Sequence, residues 1–249
     1  VSKRIARHTW RVVANPFKFK QFDVDQQYCA MKVNTDGVLL GALAQAHDPK
    51  QILDIGTGTG VIALMLAQRF LEAQIDGVEI DKLAATTAAV NFQASPFANR
   101  LKSFPLDIAH YFMVYPEKKF DLIVSNPPFF LDDLKSTDKN KELARHTDAD
   151  FYKNLCFSIS QFLAKNGHFW LILPQKSIKI VKNEAKLQNL HCQKIIHIKS
   201  FEHAEVHREI ACFGFEKVAL SEENVVIYAA EKVYTPGYQL LLKDFLTIF

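Results

Sequence analysis

Gln51-Ile52-Leu53-Asp54-Ile55-Gly56-Thr57-Gly58-Thr59-Gly60 is the stretch that decides how this chain is read. Ile52, Leu53 and Ile55 make a short apolar strand that runs into a glycine-rich turn. An amphipathic helix, Val61–Phe70, follows at once. Glycine lets the backbone take positive φ and lets a ligand approach closely. The helix start beyond it offers unpaired N–H groups. Strand, glycine turn and helix in that order form the nucleotide-binding crossover of a doubly wound α/β fold. A tight strand-to-helix turn with no ligand carries the same glycines, so the reading needs further support.

Two features supply it. The second strand, Ile75–Ile80, contains Glu79, about 20 residues beyond the turn, where such folds put a carboxylate on ribose hydroxyls. A later apolar strand, Phe120–Ser125, runs directly into Asn126-Pro127-Pro128-Phe129. Two prolines fix φ, and the first pushes Asn126 out of the helical region. A carboxamide is thereby pinned beside a pinned carbonyl, although a simple strand terminator has the same composition. Together these residues resemble the class I S-adenosylmethionine-dependent methyltransferases that act on an amino or amide nitrogen. The resemblance implies a Rossmann-like α/β fold: a seven-stranded, mostly parallel sheet with helices on both faces and a small N-terminal extension. It also implies S-adenosyl-L-methionine as cofactor. A nicotinamide dehydrogenase explains the glycines and Glu79 but leaves the Asn-Pro-Pro-Phe segment without a role.

The 249 residues suit one α/β domain with a small extension. Hydrophobic residues are 49% and charged residues 23%, enough for a sizeable core and far from a disordered composition. The net charge of +3 permits nucleic-acid binding without demanding it. Cys29, Cys156, Cys192 and Cys212 are scattered, without CxxC spacing, and read as reduced core thiols. There is no apolar run of membrane-spanning length and no signal-peptide pattern, so the expected location is the cytoplasm. Val1 in place of methionine is expected of a processed or trimmed start.

The first residues cluster Lys3, Arg4, Arg7, His8 and Arg11, either a solvated tail or a contact to RNA phosphates. Phe17 to Phe22 alternates aromatic and polar residues, as a half-buried hairpin strand does. Residues 1–30 are therefore read as a basic, hairpin-bearing extension and 31–249 as the catalytic domain. Thr35 or Asp36 is expected to cap a helix through Val38–Ala46. The block Ala30–Ala44, AMKVNTDGVLLGALA, is similar to the one preceding strand one in the bacterial tRNA1(Val) (adenine-37-N6)-methyltransferases. That similarity runs from about Phe17 to the C-terminus and is sharpest over 17–60 and 120–150.

The resemblance implies a set of cofactor contacts: Lys32, Thr35, Asp54, Gly56, Thr57, Gly58, Gly60, Glu79, Ile80, Asp107, Ile108 and Asn126. Lys32, Thr35 and Asp36 would lie over the methionine end. Asp107, after the third strand, would accept from the cofactor's adenine amine, or else it merely caps the next helix. Residues 130–149 read as a long polar loop whose Arg145 the family pattern favours for substrate contact. A helix over Ala149–Lys165 ending at Gly167, a strand His168–Leu173, a helix Ser177–Asn189 and strands near Gln193–Ile198 and Glu209–Glu216 are expected, with a further strand-like run at Asn224–Ala230. His203 and His207 have the i, i+4 spacing of metal ligands, but a third ligand is lacking and no metal is expected.

The chemistry follows from Asn126, Pro127, Pro128 and Phe129. An exocyclic amine is a poor nucleophile because its lone pair is delocalised into the ring. The Asn126 oxygen and the Pro127 carbonyl can each accept one N–H, and Phe129 can stack on the base. This motif identifies a planar NH2 acceptor. The family resemblance points to adenine 37 of tRNA1(Val). Guanine N2 in ribosomal RNA, a protein glutamine amide, and an RNA-binding module without turnover remain as alternatives.

Overall fold

The computed structural model describes residues 16–127 and 138–249, and of residues 138–148 the backbone alone. The N-terminal basic cluster, Pro128 and Phe129 lie outside the described residues, as does the side chain of Arg145.

A two-residue hairpin, β1 (Phe17–Lys18) and β2 (Asp23–Val24), precedes α1 (Thr35–Leu43). Then come β3 (Gln51–Ile55), α2 (Val61–Arg69), β4 (Gln74–Val78), α3 (Lys82–Ala94), β5 (Leu101–Phe104), α4 (Ile108–Val114) and β6 (Phe120–Ser125). The second half is α5 (Asp138–Phe162), β7 (Leu163–Leu173), α6 (Gln175–Leu187), β8 (His191–Lys199), β9 (Val206–Gly214) and β10 (Ser221–Val226). A small hairpin, β11 (Tyr228–Ala230) with β12 (Val233–Tyr234), and α7 (Pro236–Leu242) close the chain.

The central sheet has the order β10-β8-β9-β7-β6-β3-β4-β5. All neighbouring strands are parallel except β9, which is antiparallel to both β7 and β8. The expected seven strands are joined by an eighth, β10, which begins before the strand-like run at 224–230 and pairs with β8. Side chains alternate across the sheet, so each strand feeds two cores. Ile52, Leu122, Val124, Trp170 and Ile172 pack with α1, α2, α3 and α7 on one face. Leu53, Ile123, Phe169, Leu171 and Leu173 pack with α4, α5 and α6 on the other. The N-terminal hairpin joins the first core through Phe19, Phe22 and Val24, and the Lys20 amide donates to the Phe245 carbonyl at 2.7 Å.

Three elements depart from expectation. Helix α1 is capped by Asn34, whose Oδ1 accepts from the Gly37 amide at 2.9 Å, so Thr35 and Asp36 fall inside the first turn. Helix α5 starts at Asp138, and much of the stretch read as a polar loop is helical. Its Lys, Glu, Leu, Ala and Arg are good helix formers, and polarity alone does not make a loop. Gly167 does not end that helix, which stops at Phe162. It lies in β7, where the register against β6 slips, and a Cβ there would stand 2.8 Å from the Phe120 carbonyl oxygen. Close backbone approach explains this glycine.

Candidate active site

Strand β3 is the switch point of the sheet. The chain leaves it towards β4 on one side and returns as β6 on the other. Ligands of open α/β sheets bind outside the carboxyl ends of the strands at such a point. The turn after β3 and Asn126 after β6 therefore flank one crevice.

Gly56, Gly58 and Gly60 all have positive φ, at 72°, 54° and 83°. Their surroundings divide them. A Cβ at Gly60 would meet Phe92 Cε1 at 2.4 Å, so this glycine is needed for packing of α2 on α3. A Cβ at Gly56 would meet nothing within 4 Å. The open side of the turn is thus at Gly56, where a ligand can come against bare backbone. Thr57 is buried, its side chain against Gly77 of β4.

Glu79 follows β4 and faces this turn. Its Oε2 accepts from the Gly58 amide at 3.0 Å and its Oε1 from the Asp81 amide at 3.0 Å. The carboxylate is held at the rim while remaining partly open to solvent. Ile80 beside it is 72% exposed, an unusual setting for isoleucine and one suited to an apolar ligand face.

Asp54 is fully buried beneath the turn. Its Oδ2 accepts from the Thr57 hydroxyl at 2.7 Å, while Oδ1 has no partner. Burial pushes its carboxyl up to about 7, although the Thr57 hydroxyl and the Ala63 amide pull it back in part. Asp54 therefore supports the turn from below. Asp107 caps α4: its Oδ1 accepts from the His110 amide at 2.9 Å and its Oδ2 contacts the His110 ring. The amide first, then the ring, hold its carboxyl below the usual range. Ile108 is the first residue of that helix.

Asn126 carries the clearest chemical signal. Its Oδ1 is buried without a hydrogen-bond partner, and its Nδ2 donates to Met31 Sδ at 3.6 Å. A buried carbonyl oxygen left unpaired costs about 1–3 kcal/mol, so an acceptor kept in this state is suited to a donor that arrives with the substrate. Pro127 is buried beside it.

The segment carrying Met31 crosses the crevice. Gly37 of α1 packs near Val61 and Ile62 at the start of α2, and Lys32 and Thr35 are exposed between these two anchors. Asp36 is paired with Arg208 of β9, Nε to Oδ2 at 2.9 Å, which places this carboxylate towards β9. Sequence reading passed over what fastens the segment. Asn91 of α3 accepts from the Asp25 amide and donates to the Asp25 carbonyl, and it donates also to the Thr59 carbonyl in the glycine turn. Thr87, one turn earlier, donates to the Gln27 carbonyl at 2.7 Å. A lone amide on the alanine-rich face of α3 was the available signal. The thiols are inert by comparison: burial pushes Cys29 and Cys192 up to about 11 and Cys156 up to about 12. Among the described residues, no group of three or more His, Cys, Asp or Glu is placed to hold a metal, and no helix is long and apolar enough to cross a membrane.

The open glycine turn, the acid held at its rim and the unpaired carboxamide across the crevice fit S-adenosyl-L-methionine with an amine acceptor. Solved structures agree on the fold. A predicted O-methyltransferase from Agrobacterium tumefaciens superposes with a TM-score of 0.66 at 17% identity, over 84% of this chain and 96% of the other. TrmN from Thermus thermophilus superposes at 0.54 and 18% identity, over 72% and 47%. The family model described as the methyltransferase small domain matches residues 25–191. The protein is a class I S-adenosylmethionine-dependent methyltransferase. A tRNA1(Val) (adenine(37)-N6)-methyltransferase of Pedobacter heparinus is 48% identical over 94% of this chain and 99% of its own. One of the same description from Flavobacterium johnsoniae is 43% identical over 92% and 98%. The chain belongs to the tRNA1(Val) (adenine(37)-N6)-methyltransferase family.

Proposed function

We propose that this enzyme methylates the N6 amine of adenine 37 in the anticodon loop of tRNA1(Val), acting in the cytoplasm through a catalytic domain of residues 31–249 that follows an extension of residues 1–30. The observation that carries the amine chemistry is the buried, unpartnered Oδ1 of Asn126 beside Pro127. When bound, S-adenosyl-L-methionine supplies a methyl group activated by a sulfonium. Gly56, Gly58 and Glu79 hold it at the end of β3, with Asp54 and Thr57 keeping the turn in shape and Lys32, Thr35, Ile80, Asp107 and Ile108 around the rim.

Asn126 Oδ1 accepts one N–H of the target amine and the Pro127 carbonyl accepts the other. Two fixed acceptors draw the nitrogen out of conjugation and aim its lone pair, which is positioning together with preorganised electrostatics. The surplus proton leaves to water, so no strong general base is required. Pro128 stiffens the segment, and Phe129 stacks on the base, worth about 1–3 kcal/mol. A loop adenine costs less to extrude than a paired one. Arg145 is assigned to the RNA. The test is transfer of labelled methyl to total tRNA, with ribosomal RNA and release factor as parallel acceptors, followed by nucleoside digestion. N6-methyladenosine in tRNA1(Val) is expected. Label only in N2-methylguanosine or in a protein glutamine overturns the substrate, and no label in any acceptor overturns the catalytic reading.

A further inference from the structure

Helix α6 is the most one-sidedly charged described element of the chain. Its 13 residues hold Lys176, Lys179, Lys182 and Lys186 against a single acid, Glu184. The whole chain has 30 basic and 27 acidic residues, so taking α6 away leaves 26 of each. The formal excess of positive charge thus equals that of this one helix.

The lysines also share a face. At about 100° per residue they fall within an arc of about 120° of the helix circumference. The buried residues Ser177, Ile178, Val181 and Ala185 occupy the opposite side. Glu184 is on the other flank, where its charge acts on Cys156 of α5. No acid interrupts the lysine arc. Lys176, Lys179 and Lys186 are exposed and Lys182 half-buried.

The helix starts in a telling place. Ser125 of β6 is in register with Leu171 of β7, and β7 ends at Leu173, with only Pro174 between it and the start of α6. The first turn of α6 thus emerges next to the strand end that carries Asn126 and Pro127. From there the arc runs about 15 Å from Lys176 to Lys186, away from the crevice.

We propose that the lysine face of α6 is the track for the phosphodiester backbone of the substrate RNA strand that flanks the extruded base. The inference rests on RNA being the substrate. Charge complementarity and the origin of the track beside the acceptor clamp single out a polyanion that continues from the reacting nucleotide. A side chain that contacts phosphates contributes to affinity and to its salt dependence without reading sequence.

The test uses the full chain with Lys176, Lys179 and Lys186 changed together to Gln, which keeps helix propensity. The control changes Lys50, Lys165 and Lys217 to Gln. These are exposed at the opposite end of the strands, before β3, early in β7 and after β9, and remove the same charge. Equilibrium binding of unmodified tRNA1(Val) transcript is measured across a salt series, with S-adenosylmethionine affinity alongside. The α6 variant should bind the transcript at least tenfold more weakly, and its log–log salt slope should be shallower by about 2, close to 0.7–0.9 per lost contact. Its cofactor affinity should equal that of the wild type. A single Lys179→Glu variant should shift the slope in the same direction. Binding and slope matching the control would overturn the proposal and leave the arc as a solvated surface, and so would absence of RNA binding by the wild type. Lysine-dependent RNA binding without methyl transfer would sustain the track and overturn the catalytic reading.

Discussion

Gly56 and Gly60 lie four residues apart in one turn, both at positive φ, yet their replacement by alanine should do opposite things. At Gly60, with φ at 83°, the left-handed backbone costs an L residue about 1–2 kcal/mol. The new Cβ would also stand 2.4 Å from Cε1 and 3.0 Å from Cζ of Phe92, whose ring is 1% exposed and has little room to yield. Overpacking of that kind costs about 1–3 kcal/mol more. Gly60→Ala should therefore lose about 2–5 kcal/mol of unfolding free energy. Gly56→Ala incurs only the backbone cost of about 1–2 kcal/mol, because its Cβ meets nothing within 4 Å. That Cβ projects instead into the open side of the turn, so S-adenosylmethionine affinity should fall at least tenfold. Urea denaturation of the free proteins and calorimetric titration of the cofactor separate the two outcomes. In a Gly60→Ala background, Phe92→Leu should cost less than it does alone, since it relieves the clash. Equal stability losses for the two glycine variants would refute the packing argument. A Gly56→Ala protein that binds cofactor normally would refute the placement of the ligand.

Four further outcomes are expected. Asn126→Ala should lower kcat by about 10²–10³ with little change in cofactor affinity, and Asn126→Asp, which keeps an acceptor, should lose less; single-turnover methylation is the assay. Glu79→Ala should raise the cofactor dissociation constant at least tenfold with kcat at saturation largely retained, and an unchanged constant would remove Glu79 from the site. Asn91→Ala, which takes away three hydrogen bonds to residue 25 and Thr59, should cost about 1–3 kcal/mol in urea denaturation. Asp54 gives a pH signature. Its carboxyl is raised to about 7 in the folded state, so the folded protein holds a proton that the unfolded chain has released. Its contribution is complete below pH 4 and is lost as pH rises to 7. Between pH 5 and 7 the wild type should lose about 2–3 kcal/mol relative to Asp54→Asn, whose unfolding free energy carries no such slope.

Much of this was legible because local chemistry and global fold agree. The β3 turn and the strand Phe120–Ser125 are each specified by a few adjacent residues, and each stands where the sequence puts it. What was missed depends on partners far along the chain. Whether Asn34, Thr35 or Asp36 caps α1 is decided by which amide each side chain can reach, and Asp36 is drawn instead to Arg208, 172 residues away. Gly167 looked like a helix stop because a strand bulge against Phe120 leaves no local trace. Gly56 and Gly60 are indistinguishable in sequence, and only Phe92 tells them apart. The family resemblance implies a cofactor contact at Asp54, yet this residue is sealed under the turn, where its bonding is to Thr57.

In the proposed mechanism a neutral side chain is the catalytic group, and the fastenings around the crevice are what would let it suffice. Three segments meet there, after β3, β4 and β6, and each is held by a bond from another segment. Glu79 takes the Gly58 amide, Asn91 joins Thr59 to residue 25, and Met31, six residues further on, takes the donor side of Asn126. The last contact matters most for direction. A carboxamide can present either its oxygen or its NH2, and only the oxygen can accept from an amine. With Nδ2 turned to the Met31 sulfur, the oxygen is the end left unpaired in the crevice. A carboxylate would need no such orientation, since both its oxygens accept, but it would have to stay charged against the burial that already raises Asp54 a few residues away in the neighbouring strand. An amide avoids that penalty and needs its direction fixed instead, which the segment over the crevice provides.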